Sequence, residues 1–271
     1  MNATALDARV GEIAVWRRRT RAVRYTSYFV VAALVAWSVE AIVIADTDWS
    51  RLAAGSIART LGRFLQLDLS IVPELLEPTL ETVLMATLAT LAGLVLAIPV
   101  AWLGAANITP LGKTSYAVGR VLMTLSRSVH EIVWGLIFVS TVGLGALAGV
   151  LAMAVRSVGF ISKTIAEAIE DVDPGPIEAV RAVGGTKFQI LVYGIVPQII
   201  PVFLGNMIFE WDINIRRSTI MGLVGAGGLG LALFRQMAMA NYGGIATVVL
   251  AVLALIIVGE VVSYHARKAV I

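Results

Sequence analysis

The sequence predicts an all-α membrane protein of about six transmembrane helices, with both termini in the cytoplasm. Three observations lead there. The 271 residues are 58% hydrophobic and only 14% charged, with a mean hydropathy of +0.87; roughly 25% charged residues is usual for a soluble domain. Six apolar runs are long enough to cross a hydrocarbon layer, which takes about 20 helical residues. Lysine and arginine gather beside the ends of these runs in segments that all fall on one side, the bias that orients membrane helices.

The elements follow in order. Residues 1–24 form a basic cytoplasmic N-terminus, in which Arg17, Arg18, Arg19, Arg21 and Arg24 precede the first span. That span, residues 25–45, is too long for the apolar region of a cleavable signal and has no persuasive cleavage site after it. Residues 46–79 make an extracytoplasmic segment with five acids against Arg51, Arg59 and Arg63. Within it Ile57, Leu61, Phe64 and Leu65 recur near helical spacing, which predicts an amphipathic helix over 49–69, packed on the membrane or on the bundle. The second span covers 80–103. The third covers 116–141 despite Arg120, Arg127, His130 and Glu131, and the fourth covers about 147–169. A fifth runs over about 197–221 and a sixth over about 244–264. Lys113, Arg181, Lys187, Arg267 and Lys268 then all lie on the cytoplasmic side.

Several function classes drop out. The chain has no cysteine, hence no disulfide framework or thiolate site, and its two histidines, His130 and His265, offer no metal-ligand spacing. The pI near 9.4 reflects arginines beside a membrane span, which orient it and do not point to nucleic acid. Residues 107–114, NITPLGKT, lack the first glycine of a phosphate-binding loop and follow a span, where that loop requires a strand. Residues 225–230 match G-x-G-x-x-G in letters, yet no acid follows near residue 250 to hold a ribose. Glycines there break the helix and let backbone approach backbone at the outer end of the fifth span.

Two constellations remain. In the cytoplasmic stretch EAVRAVGGTKFQILVYGIVP (178–197), Asp173-Pro174-Gly175-Pro176 stops the fourth span and starts a short helix over 177–183. Glu178 and Arg181 occupy neighbouring positions on it, Gly184-Gly185 ends it, and residues 186–193 form a second helical piece. A helix–glycine–helix knob anchored at both ends can transmit a rigid-body push. The second constellation is intramembrane charge. Arg127, His130, Glu131 and Trp134 fall at i, i+3, i+4 and i+7, one face of the third span; Glu210, Asn214 and Arg217 share a face of the fifth, and Asp212 and Arg216 another. Each such group costs about 2.5–3.5 kcal/mol in the bilayer centre, so they face a cavity or one another. Mutual pairing and a polar path for an anion are both open at this point.

The stretches SVHEIVWGLIF (128–138), EAVRAVGG (178–185) and FEWDINIRRSTIMGLVGAGGLG (209–230) together resemble the permease subunits of phosphonate ATP-binding-cassette importers. The likeness extends from about residue 75 to the C-terminus and is most specific over 209–230. In the loop, Glu178, Ala179, Gly184 and Pro197 match the family's coupling pattern in spacing, while Val180, Gly194 and Val196 depart from it. The resemblance implies a type I importer permease fold, a permease core over 80–271, a peripheral first span and a coupling loop at about 171–196. It assigns ATPase coupling to Asp173, Glu178, Ala179, Arg181, Ala182, Gly184, Gly185 and Lys187. On the polar-path reading of the intramembrane charges, Arg127, His130, Glu131, Trp134, Glu210, Asp212, Asn214, Arg216, Arg217 and Ser218 lie on a translocation path, and the helix-breaking glycines Gly222, Gly225, Gly227, Gly228 and Gly230 form an outer gate. The resemblance further implies a second permease subunit, two cytoplasmic ATPase subunits holding ATP and Mg, and an extracytoplasmic phosphonate-binding protein. This chain itself would bind no cofactor, be no enzyme, and lie in the cytoplasmic (inner) membrane of a prokaryote. Rival readings are a permease of the same architecture for inorganic phosphate or another small solute, and an ion-coupled secondary transporter, which has no need of the 178–197 knob.

Overall fold

The computed structural model describes residues 3–44 and 54–270, which form helices joined by short turns. The chain divides into two compact units, Met1–Leu61 and Gly62–Ile271. In the first, α1 (Ala3–Ser38) carries the arginine cluster and runs on into a π-helical turn, Val39–Ile44. The expected first span ends here at Ile44; residues 45–53, including part of the expected extracytoplasmic segment, lie outside the described residues. Of the amphipathic helix expected over 49–69, residues 49–53 lie outside the described residues, and α2 covers Ala54–Phe64.

The second unit begins at the end of α2 and is held to a later helix by polar knots. Phe64 packs edge-on against Tyr242 with centroids 5.4 Å apart, and the Arg63 guanidinium lies 5.5 Å over the same ring. Asp68 caps a 3₁₀ turn, Leu69–Leu75, by accepting from the Ser70 amide and hydroxyl. It also accepts from Asn241, and its carbonyl takes the Thr247 hydroxyl. The loop therefore stays against the start of the last helix.

Helix α3 (Leu76–Gly104) shows why the bundle closes. Leu80, Leu84, Leu88, Leu91 and Val95 are exposed, whereas Ala86, Ala89, Gly93, Ala97 and Ala101 are buried. In lipid the apolar side gains nothing by leaving solvent, so close approach through small residues supplies the cohesion. The partner is α6 (Ala146–Glu170), and a side chain on Gly93 would stand 2.6 Å from the Ser157 Cβ. One apolar cluster forms around Ala97, Ala101, Met123, Ile161 and Ile165, and a second around Met85, Ala89, Met153 and Met221.

Five helical stretches are long and apolar enough to cross a membrane among the described residues: Arg19–Ile44, Leu69–Gly104, Ala146–Glu170, Lys187–Ala238 and Tyr242–Ala269. A sixth exists only as a bent pair. α4 (Lys113–Ser128) and α5 (Glu131–Val142) meet at 89°. The expected straight third span is thereby corrected. Val129 and His130 are extended, and His130 begins a new helix by accepting the Ile132 amide on its Nδ1 at 3.3 Å. Arg127, His130, Glu131 and Trp134 accordingly do not share one helix face.

Close packing at the bend supplies a physical reason. The Ser126 hydroxyl accepts from the Gly159 amide at 2.9 Å and donates to the Val155 carbonyl, bridging two groups four residues apart on α6. A side chain on Gly159 would collide with Ser126 and Arg127.

After α6 come α7 (Pro174–Ala182), a single turn α8 (Lys187–Gln189), a π turn Ile190–Ile195 and α9 (Val196–Met221). The expected second helical piece is therefore continuous with the fifth span. A 3₁₀ turn, Gly222–Val224, and a glycine corner lead to α10 (Gly228–Ala238), and α11 (Tyr242–Val270) ends the chain.

Candidate functional site

The knob is built with unusual local definition. Asp173 caps α7 by accepting the Gly175 amide at 2.9 Å, and Pro174 occupies the first turn, where a missing N–H leaves no carbonyl unpaired. At the other end the Gly184 amide donates to the Arg181 carbonyl and the Gly185 amide to the Val180 carbonyl. That pair of bonds is a Schellman closure, which places Gly184 at φ +82°. Thr186 and Gln189 then form a reciprocal capping box.

Gln198 ties the knob to the fifth span. Its side chain accepts from the Asp173 amide at 2.9 Å and donates to the carbonyls of Asp173 and Gly194 at 3.2 and 2.6 Å. Gly194, an apparent weak point in the sequence, is buried because α7 crosses there; a side chain would sit 3.2 Å from the Ile177 Cα. Glu178, Ala179, Arg181, Ala182 and Lys187 are exposed, and no ion pair joins Glu178 to Arg181 among the described residues. Two residues that the sequence reading passed over stand out: Val183 is 86% exposed and Phe188 71%. Large apolar side chains flanking a glycine pair inside a polar loop were the available signal.

The charged residues of α9 separate into two groups, as the spacing predicts. Glu210 is wholly buried and its Oε1 accepts from Arg217 at 2.6 Å and from the Ser157 hydroxyl at 2.8 Å. Asn214, also wholly buried, accepts from Arg217 and donates to Thr90 and Ser157. This network joins α3, α6 and α9. On the other face Asp212 holds Arg216 at 2.7 Å, with Glu260 of α11 at 3.5 Å. Ser218 is buried but donates to the Ile215 carbonyl within its own helix, apart from the network.

Although α4 and α5 do not align their charges, they bring Glu131 to α9. Its two carboxylate oxygens lie 3.7 Å from Arg217 Nε and 3.5 Å from Arg156 Nε. Trp134 stacks against Phe138 and sits beside the methionine cluster, its buried indole N–H without a partner. Arg127 points elsewhere, into a cavity of about 400 Å³ that Arg120, Arg156 and Lys163 also line. Arg156 and Lys163, inside the fourth span, went unremarked in the sequence because its mean apolarity hid them.

At the opposite end from the knob, the glycines serve helix capping and close crossing. Gly225, Gly227 and Gly228 all have positive φ. The Gly228 amide donates to Glu81 Oε2 at 2.8 Å and the Leu229 amide to the Thr82 hydroxyl at 2.9 Å, so α3 side chains satisfy the start of α10. Side chains on Gly222 or Gly230 would collide with the opposing backbone. Glu81 and Thr82 are further residues the sequence alone did not connect to this corner.

Comparisons with known proteins bear on the family and the fold. Residues 93–270 match the model of the binding-protein-dependent transport system inner membrane component. The phosphite transport system permease protein PtxC of Stutzerimonas stutzeri is 39% identical over 213 residues, covering 79% of this chain and 77% of that protein. The phosphate-import permease protein PhnE of Mycolicibacterium smegmatis is 37% identical over 183 residues, 68% of this chain and 34% of its own length. In fold, the chain is similar to the MetNI methionine ABC transporter in an inward-facing conformation, with a TM-score of 0.66 at 22% identity, over 76% of this chain and 100% of that one. By the extent of the family match, together with its multi-pass apolar helices, the chain belongs to the binding-protein-dependent transport system inner membrane components.

Proposed function

We propose that the chain is the permease subunit of an ATP-driven importer for phosphonate or a closely related phosphorus oxyanion. It would work with a second permease subunit, two cytoplasmic ATPase subunits that hold ATP and Mg, and an extracytoplasmic binding protein. The observation that carries this reading is the knob: a short helix capped at both ends, pinned by Gln198 to a long span and presenting Glu178, Val183 and Phe188 to solvent. Such an element converts a partner's closure into movement of α9, because little slack lies between them. Arginine-rich flanks at Arg19–Arg24 and Arg267–Lys268 support the same sidedness for both termini and the knob. The phosphite and phosphate named for the similar permeases support the substrate class, and arginine's forked donors suit such oxyanions.

The test is ATP-dependent uptake of labelled methylphosphonate by vesicles holding the chain with its ATPase and binding protein, competed with phosphate. Uptake that phosphate competes weakly is the expected result. Uptake seen only with labelled phosphate would move the substrate to inorganic phosphate, the reading that the mycobacterial relative favours. Uptake driven by an ion gradient without ATP would refute the importer reading.

A further inference from the structure

Cations recur every seven residues on two helices that cross. Lys113, Arg120 and Arg127 do so on α4, and Arg156 and Lys163 on α6, followed at the same interval by Glu170. Seven residues make almost two turns and about 10 Å of rise, so each set forms one stripe. The pairing across the helices fixes the levels. Arg120 donates to both oxygens of Glu170, the last residue of α6, and to the Gly104 carbonyl; all three lie next to the knob. Two turns further along α4 and about four turns back along α6, Arg156 donates to the Arg127 carbonyl and faces Glu131. The cavity between these rungs is open at one side and has a volume of about 400 Å³. That is room for about a dozen waters at liquid density.

Carboxylates are spread unevenly over this cleft. Glu170 serves Arg120, Glu131 serves Arg156, and Glu167 lies 3.4 Å from Lys163. Arg217 of α9, outside the cleft, has Glu210. Arg127 has no ion-pair partner among the described residues, and its side chain is exposed to the cleft. A lone guanidinium in an apolar span is costly unless a cavity or a counter-anion meets it.

We propose that the α4–α6 cleft is the inward station of the oxyanion's path, where Arg127 takes the anion and the compensated Arg120, Arg156 and Lys163 frame it. This rests on the oxyanion-importer reading above. One uncompensated charge attracts a phosphonate or phosphite anion. The neighbouring carboxylates keep the station from becoming a trap, since a substrate in transit must leave again.

This chain has no native cysteine, and the parent complex treated with the same reagents controls for thiols on its partners. Arg127→Cys, in the full complex in vesicles, is treated with a cationic aminoethyl or an anionic sulfonatoethyl thiosulfonate. Uptake of labelled methylphosphonate or phosphite should fall about tenfold in the variant, the loss of one charge-assisted hydrogen bond. The cationic reagent should restore it to within a few-fold of the parent and the anionic one should not, while complex yield stays at the parental level. Protection of the thiol by methylphosphonate should accompany this. Equal uptake in the variant, or failure of the cationic reagent to restore it, overturns the station and leaves the importer reading standing. A parent complex that carries no phosphorus oxyanion overturns both.

Discussion

Removing Arg217 isolates a buried charge, and the structure gives the size of the effect. Glu210 is fully buried, and its Oε1 has two partners, Arg217 at 2.6 Å and Ser157 at 2.8 Å. Its Oε2 has none. Arg217→Ala leaves a carboxylate with one neutral hydroxyl donor in a low-dielectric interior. Breaking a buried ion pair in this way costs about 3–5 kcal/mol, more than the pair contributes over an apolar substitute, because the remaining charge is stranded. Neutralising the partner should then rescue the fold. Arg217→Ala with Glu210→Gln keeps the Ser157 bond and should recover all but about 1–2 kcal/mol. The assay is reversible unfolding of the purified chain in mixed micelles, with both single variants completing a double-mutant cycle. A single Arg217→Ala loss under about 1 kcal/mol would refute the argument, as would a double variant no more stable than the single. Either result would mean that Glu210 is not held as a charge by Arg217.

Three further outcomes are expected. Gly184 sits at φ +82° in open space, so Gly184→Val should strain the knob by about 1–2 kcal/mol without a clash. Uptake should fall while ATP hydrolysis and yield persist, and Gly184→Asn, which tolerates this backbone, should retain most uptake; equal loss in both would remove the backbone explanation. Gly159→Leu should disrupt the α4–α6 crossing, since even a Cβ meets Ser126 and Arg127; it is read as loss of folded protein by gel filtration, with Gly55→Leu, where nothing lies within 4 Å, as the control. The Ser70 hydroxyl and the Asn241 amide hold the Asp68 carboxyl below its ordinary value. Its contribution is therefore complete above the unfolded value of about 3.9 and disappears as pH falls through the lower folded value. The difference in thermal midpoint between the parent and Asp68→Asn should be constant from about pH 8 to pH 5 and shrink below about pH 4.

Much of the fold was readable because spans announce themselves by length and the knob by punctuation. Gly184 and Gly185 marked the end of α7 to within a residue, whereas its start lies at Pro174, three residues before the expected 177, because Pro174 is itself part of the first turn. The i, i+4, i+7 relation of Glu210, Asn214 and Arg217 survived because α9 is continuous through them. The same reasoning failed for Arg127 to Trp134, where helical periodicity assumed a straight helix and His130 instead starts a new one. Nothing local forbids a helix there; the bend is set by the fit of Ser126 against Gly159, some 30 residues away in sequence. Glu81 at the glycine corner was hidden for the same reason, its partner amide lying at Gly228. Periodicity reports one helix at a time. It is silent on which side chain of another helix reaches in.

The contact between Ser126 and α6 has a consequence for motion. The amide of Gly159 and the carbonyl of Val155 are natural partners in the helical ladder, and the hydroxyl bridges both. Should α4 withdraw, these two groups still have each other, and the departing hydroxyl can turn back to its own helix, as Thr124 and Ser128 do beside it. At this contact no polar group need be stranded, whereas the Arg120–Glu170 pair and the Arg156 bond to the Arg127 carbonyl would have to part with it. The Ser126 hydroxyl is thus a clasp that itself opens without an electrostatic penalty, placed where one half of the bent span meets the other.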